Sequence, residues 1–140
     1  MSSPAVGIPP TASLRQAAER MEATGLTVLP VVVEERVTGI VTDRDLAMRT
    51  LAGGLLPGNA VETVMTGEPP AVEPATPLPV AIGVLRSARV RHLPVVEAGR
   101  LVGMVSFEDL LWCLTQQWVD LMAVVDADRR GGPERMPRAA

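Results

Sequence analysis

The chain repeats itself at a fixed offset of 64 positions, and this constrains its fold more than any other feature. Leu29-Pro30-Val31-Val32 returns as Leu93-Pro94-Val95-Val96. Gly39-Ile40-Val41-Thr42-Asp43-Arg44-Asp45-Leu46 returns as Gly103-Met104-Val105-Ser106-Phe107-Glu108-Asp109-Leu110. Arg36 maps onto Arg100 and Leu14 onto Leu78 without a gap. Two copies of one supersecondary unit are the simplest reading. Two copies make a pseudo-symmetric pair, because a solenoid needs about three or more.

Each copy reads as helix, strand, strand, helix, preceded by an extended segment. In the first, Thr11 or Ser13 opens a helix that runs to Thr24, with Leu14, Ala17, Ala18 and Met21 at helical spacing. Gly25 ends it, being tolerant of positive φ. An apolar β-branched run (26–33), a polar turn at Glu34-Glu35-Arg36 and a second strand (37–41) follow, and Thr42 caps a helix from Asp43 to Leu51. Residues 53–59 are a loop by composition. The second copy predicts a helix over 78–88, strands over 92–97 and 100–105, and a helix from Phe107. Residues 61–72, with Pro69-Pro70, read as an extended connector. Strands this continuously apolar imply sheets covered by helices. The expected division is repeat 1 over 5–59, repeat 2 with a long C-terminal helix over 60–125, and a disordered tail over 126–140.

At 140 residues the chain can bury one ordinary core, and with aromatics at 2% that core must be aliphatic. A formal charge of −3 lacks the basic footprint of a nucleic-acid or anionic-membrane binder. The lone Cys113 excludes an intrachain disulfide and a multi-cysteine metal site. The first ten residues have neither a basic start nor an apolar stretch, so no signal peptide is read and the cytoplasm is expected. The apolar run over 110–125 is broken by Thr115, Gln116, Gln117 and Asp120, too short and polar to span a bilayer. Within it, Leu111, Leu114, Trp118, Leu121 and Val125 are spaced 3, 4, 3 and 4 apart, an a/d-like seam. Such a stripe packs on its own domain or forms a homodimer interface.

The repeated Gly-x-x-[Thr/Ser]-x-x-Asp segment places a hydroxyl, then a carboxylate three residues on, at a helix start. Thr42 with Asp45, and Ser106 with Asp109, therefore resemble capping boxes. The same geometry suits a ligand site, because a strand running into a helix N-terminus presents N–H groups and a positive dipole to an anion. Arg44 stands in that first turn, where a cation opposes the dipole but can meet a phosphate bidentately.

The pair of repeats resembles a tandem of CBS domains, a Bateman module. The residues that carry the likeness are Val64-Met65-Thr66 with Pro69, the two Leu-Pro-Val-Val strands, the Arg36 and Arg100 hairpins, and the two Gly-x-x-[Thr/Ser]-x-x-Asp-Leu segments. The resemblance implies an α/β (α+β) fold of two β-α-β-β-α repeats packed through their sheets. It also implies clefts for an adenosine-containing small molecule such as AMP, ADP, ATP or S-adenosylmethionine, with no cofactor required. On it, the ribose contacts fall on Thr42 with Asp45 and on Ser106 with Asp109. The adenine-lining strands correspond to Val28 and Pro30 and to Leu93 and Pro94, and phosphate contacts to Arg91 and His92, with Arg89 nearby.

The two clefts then differ. Arg44, Arg91 and His92 serve the Asp45 cleft, whereas Glu108, Thr27 and Val28 stand in their places at Asp109. A phosphorylated nucleotide is expected at Asp45, and the Asp109 cleft to be empty or to take a ligand with little negative charge. The implied role is a nucleotide-sensing regulatory module, homodimeric and acting on another protein in trans. The competing reading is a ligand-free interaction module in which both Asp residues only cap helices. A metal-dependent enzyme built on Asp43 and Asp45 is disfavoured, since Asp43 has no counterpart in repeat 2, and no catalytic activity is expected.

Overall fold

The helix and the hairpin of the first copy recur in the second at the 64-residue offset. The structure is a computed structural model and describes residues 7–130. The chain divides into two compact units at the Ser106/Phe107 junction, and each is taken by itself.

In the first unit, Ser13 opens α1 (Leu14–Thr24) with a full capping box to Gln16, and Gly25 closes it in the left-handed region at φ 73°. β1 (Val28–Val33) pairs antiparallel with β2 (Arg36–Thr42), and α2 (Asp43–Leu51) follows directly. In the second copy α3 (Leu78–Ala88) starts at Pro77, with no side-chain cap. β4 (His92–Glu97) pairs antiparallel with β5 (Arg100–Ser106). The two hairpins share even their irregularity, a bulge between Val31 and Val32 and between Val95 and Val96. The extended lead-ins are single parallel bridges, Ile8 to Val31 and Val72 to Val95, again 64 apart. Expected residues 5 and 6 lie outside the described residues.

The core repeats as the sequence does. Ala17 and Ala81, Met21 and Leu85, Leu29 and Leu93, Val31 and Val95, and Val41 and Val105 are all buried. In the first copy the buried face of α1 (Leu14, Ala17, Met21) meets the inward strand residues Leu29, Val31 and Val41, the arrangement that burial of alternate and 3.6-spaced apolar residues dictates.

The connector corrects the expectation. Residues 61–72 are not simply extended: Val61–Thr63 is a 3-10 turn, and β3 (Thr66–Gly67) pairs antiparallel with β2 through Gly39–Gly67 and Ile40–Thr66. Val61 and Val64 belong to the first copy's core, and the Val61 N–H donates to the Ala12 C=O at 2.7 Å. Val61 and Val64 thus pack into the first copy's apolar cluster, beside Leu14, Leu29 and Val31.

The copies meet through their hairpins. The Leu101 N–H donates to the Glu35 C=O at 2.8 Å, and Glu35 pairs with Arg100 at 2.8 Å. At the other turn the Arg36 guanidinium lies over Gly99, where a side chain would collide with it.

The second unit is α4 (Phe107–Arg129), whose only buried residue is Leu110. The expected tail at 126–140 is corrected in part: the helix continues through Arg129, and residues 131–140 lie outside the described residues.

Candidate functional site

Thr42 is the last residue of β2 and the N-cap of α2. Its hydroxyl accepts from the Asp45 N–H at 3.0 Å, and Asp45 Oδ2 accepts from the Thr42 N–H at 2.9 Å. The capping box is complete. The Asp43 N–H donates to the Thr27 C=O at 3.0 Å, and Val28 pairs with Thr42, so the start of β1 is tied to the start of α2. Thr27, Val28, Thr42 and Asp45 are thus brought to one end of the hairpin. Capping does not exhaust the site, because a carboxylate offers about four lone-pair positions and a hydroxyl two. Asp45 and Thr42 are half-buried and Arg44 is exposed. The Arg44 N–H donates to Asp43 Oδ1 at 2.8 Å.

The second copy places its candidates in the same register. His92 pairs with Ser106, as Val28 does with Thr42. Arg91 is exposed, and His92, Ser106 and Asp109 are half-buried. Asp109 and Glu108 stand in the first turn of α4.

Val28, Pro30, Leu93 and Pro94 are buried. The C=O groups of Pro30 and Pro94 accept from the Ile8 and Val72 N–H groups, each at 3.0 Å. The strand ends next to them, Thr27 and Arg91, carry the exposed surface.

Two open clefts lie elsewhere. One of about 510 Å³ runs between α1 and α2, past Leu14, Met21, Asp43, Leu46 and Thr50. One of about 600 Å³ lies beside Ile8, Ala12, Gln16 and Arg20. Neither is lined by Thr42, Arg44, Asp45, Arg91 or His92. Among the described residues, no group of three His, Cys, Asp or Glu could hold a metal ion, and no helix is long and apolar enough to cross a membrane.

The repeated hairpin-and-cap unit matches the CBS domain family twice, over residues 1–51 and 61–115. The chain belongs to the CBS-domain family. This CBS pair is 32% identical over 110 residues to the CBS domain-containing protein YhcV of Bacillus subtilis, covering 79% of each chain. Other curated relatives are longer: the chain is 32% identical over 100 residues to the CBS domain-containing protein CBSCBSPB1 of Arabidopsis thaliana, covering 70% of this chain and 18% of that one. The structure of CBSX2 in complex with AMP superposes with a TM-score of 0.70 at 28% identity, covering 83% of this chain and 92% of that one. The CBS domain protein PAE2072 of Pyrobaculum aerophilum, complexed with AMP, gives 0.71 at 26% identity, covering 78% and 85%.

Sequence reading singled out Arg36 and Arg100 but missed Glu35, the residue whose carbonyl and carboxylate both reach the second copy. Only its place in the turn, preceding the repeated arginine, hinted at it.

Proposed function

We propose that this CBS pair is a regulatory module without catalytic activity that binds an adenine nucleotide at the Thr42–Asp45 end of the first hairpin. The observation that carries this is the half-buried Thr42/Asp45 pair, with acceptor capacity left over and exposed Arg44 adjacent, in a chain similar to two proteins whose structures hold AMP. Asp45 would accept from the ribose hydroxyls. Arg44, with Arg91 and His92 of the second copy, would meet the phosphates, and charge-assisted bidentate contact favours arginine there. At Asp109 the neighbour of the carboxylate is Glu108, which repels a phosphate, so the sites are unequal. A ligand regulates only if its affinity differs between two states of the module. The readout is then its fit to another protein.

The completed capping box favours a second reading, in which Asp45 is purely structural. Two substitutions separate the readings in nucleotide titrations of the intact chain by calorimetry and thermal shift, using AMP, ADP, ATP and S-adenosylmethionine. Asp45→Ala removes the cap and is expected to lower stability by about 0.5–2 kcal/mol whichever reading holds. Arg44→Ala leaves the cap intact, so it should weaken nucleotide binding about tenfold or more while leaving the unliganded midpoint unchanged. Absence of binding by all four compounds to the unaltered chain would leave capping as the role of Asp45.

A further inference from the structure

The two hairpin turns are equivalent by the repeat offset but are built from different residues. Between the paired residues Val33 and Arg36 stand Glu34 at φ 51° and Glu35 at φ 68°. Between Glu97 and Arg100 stand Ala98 at φ 51° and Gly99 at φ 80°. A two-residue hairpin turn with both central residues at positive φ favours Asn-Gly, Asp-Gly or Gly-Gly, because an L side chain there crowds the following carbonyl. The second turn follows that preference in its last position. The first has a glutamate there and is strained at both residues.

Strain of this kind persists where the surroundings hold it in place. Both polar parts of Glu35 are held by the second copy. Its C=O accepts from the Leu101 N–H at 2.8 Å, and its carboxylate pairs with Arg100 at 2.8 Å. The tie is one-sided: Gly99, the counterpart of Glu35, has no carboxylate to offer the Arg36 guanidinium that lies over it. One turn therefore carries both the strain and the contact between the copies.

We propose that the Glu34–Glu35 turn is a latch between the two copies. Closed, its contact with Arg100 and Leu101 holds the turn in the strained form. Open, the turn relaxes as the copies part at this point. The latch supplies two states between which a ligand or partner protein can discriminate, which regulation requires. It stands independently of nucleotide binding, and its test is run without nucleotide.

Amide hydrogen exchange of the full chain, followed by NMR, reads both sides of the latch. Leu101 reports the contact and Arg36 the turn. Both should exchange faster than Leu29 and Val41, which pair in the buried part of the first hairpin. The coupling must also be reciprocal. Arg100→Gln alters the contact and not the turn, and should speed exchange about two- to fivefold at Arg36 as well as at Leu101. Glu34→Gly relieves the turn and leaves Glu35 and Arg100 in place. It should slow exchange about two- to fivefold at Leu101 as well as at Arg36. Changes confined to the side that was altered overturn the proposal, since contact and turn would then be separate features. So does exchange at Leu101 and Arg36 no faster than at Leu29 and Val41, because the latch would then have no open state of its own.

Discussion

Gly25 and Arg89 occupy equivalent positions, 64 residues apart, and both lie in the left-handed region, at φ 73° and 56°. Glycine adopts that conformation without a Cβ clash, whereas an L side chain gives up about 1–2 kcal/mol. Glycine also costs about 0.5–1 kcal/mol more to order from the unfolded chain. The difference decides the sign: Arg89→Gly should stabilise the protein by about 0.5–1 kcal/mol in urea unfolding. A loss of stability would mean that the arginine side chain makes contacts worth more than the strain it imposes. Arg89 lies two residues before Arg91, so nucleotide titration of the same variant also tests whether this guanidinium belongs to the proposed phosphate contacts. The Thr42/Asp45 pair makes a related point. Its residue types and spacing were legible as a capping box, and both bonds form. Its ligand role was not decidable from spacing, because cap and ribose contact call for the same hydroxyl and carboxylate.

At the scale of elements, the helices and hairpins were legible because their signals are local. Ser13, Gly25 and Thr42 mark boundaries through caps that involve residues no more than four apart. β3 was not legible. Two residues, Thr66 and Gly67, hold no periodicity, and they become a strand only because the edge of β2 lies beside them. That edge depends on Gly39. A Cβ there would collide with the Met65 sulfur and come within 3.0 Å of the Thr66 carbonyl. Gly39→Ala is therefore expected to cost about 1–3 kcal/mol, the usual penalty of overpacking. Shortening the flexible partner should relieve part of it, so Gly39→Ala with Met65→Ala should be less destabilised than the two single changes combined. Fully additive losses in a double-mutant cycle would show that Met65 is not the obstacle.

At the scale of the whole molecule, the two copies are joined by the turn at Glu35 as well as by the chain. The Glu35–Arg100 ion pair is about two-thirds exposed on both sides (67% and 65%), so water screens it. The expected effect of Glu35→Ala on stability is small, below about 1 kcal/mol. The Leu101 N–H to Glu35 C=O bond survives that change, because it uses the backbone. A loss of several kcal/mol in chemical denaturation would instead make this carboxylate the main tie between the repeats.

The 64-residue echo by itself determined that there are two copies and where the hairpins fall, and it marked Leu14, Ala17 and Met21 as facing inward, whereas Ala18 at the same helical spacing is exposed. Those properties follow from periodicity and short-range hydrogen bonding, which a sequence displays directly. Tertiary structure alone decided that Val61 and Val64 complete the first copy's core and that Glu35 bridges to the second. Each of these depends on which surfaces remain uncovered once distant segments have packed, and an apolar residue looks the same in sequence whether its partner is near, far or in another copy.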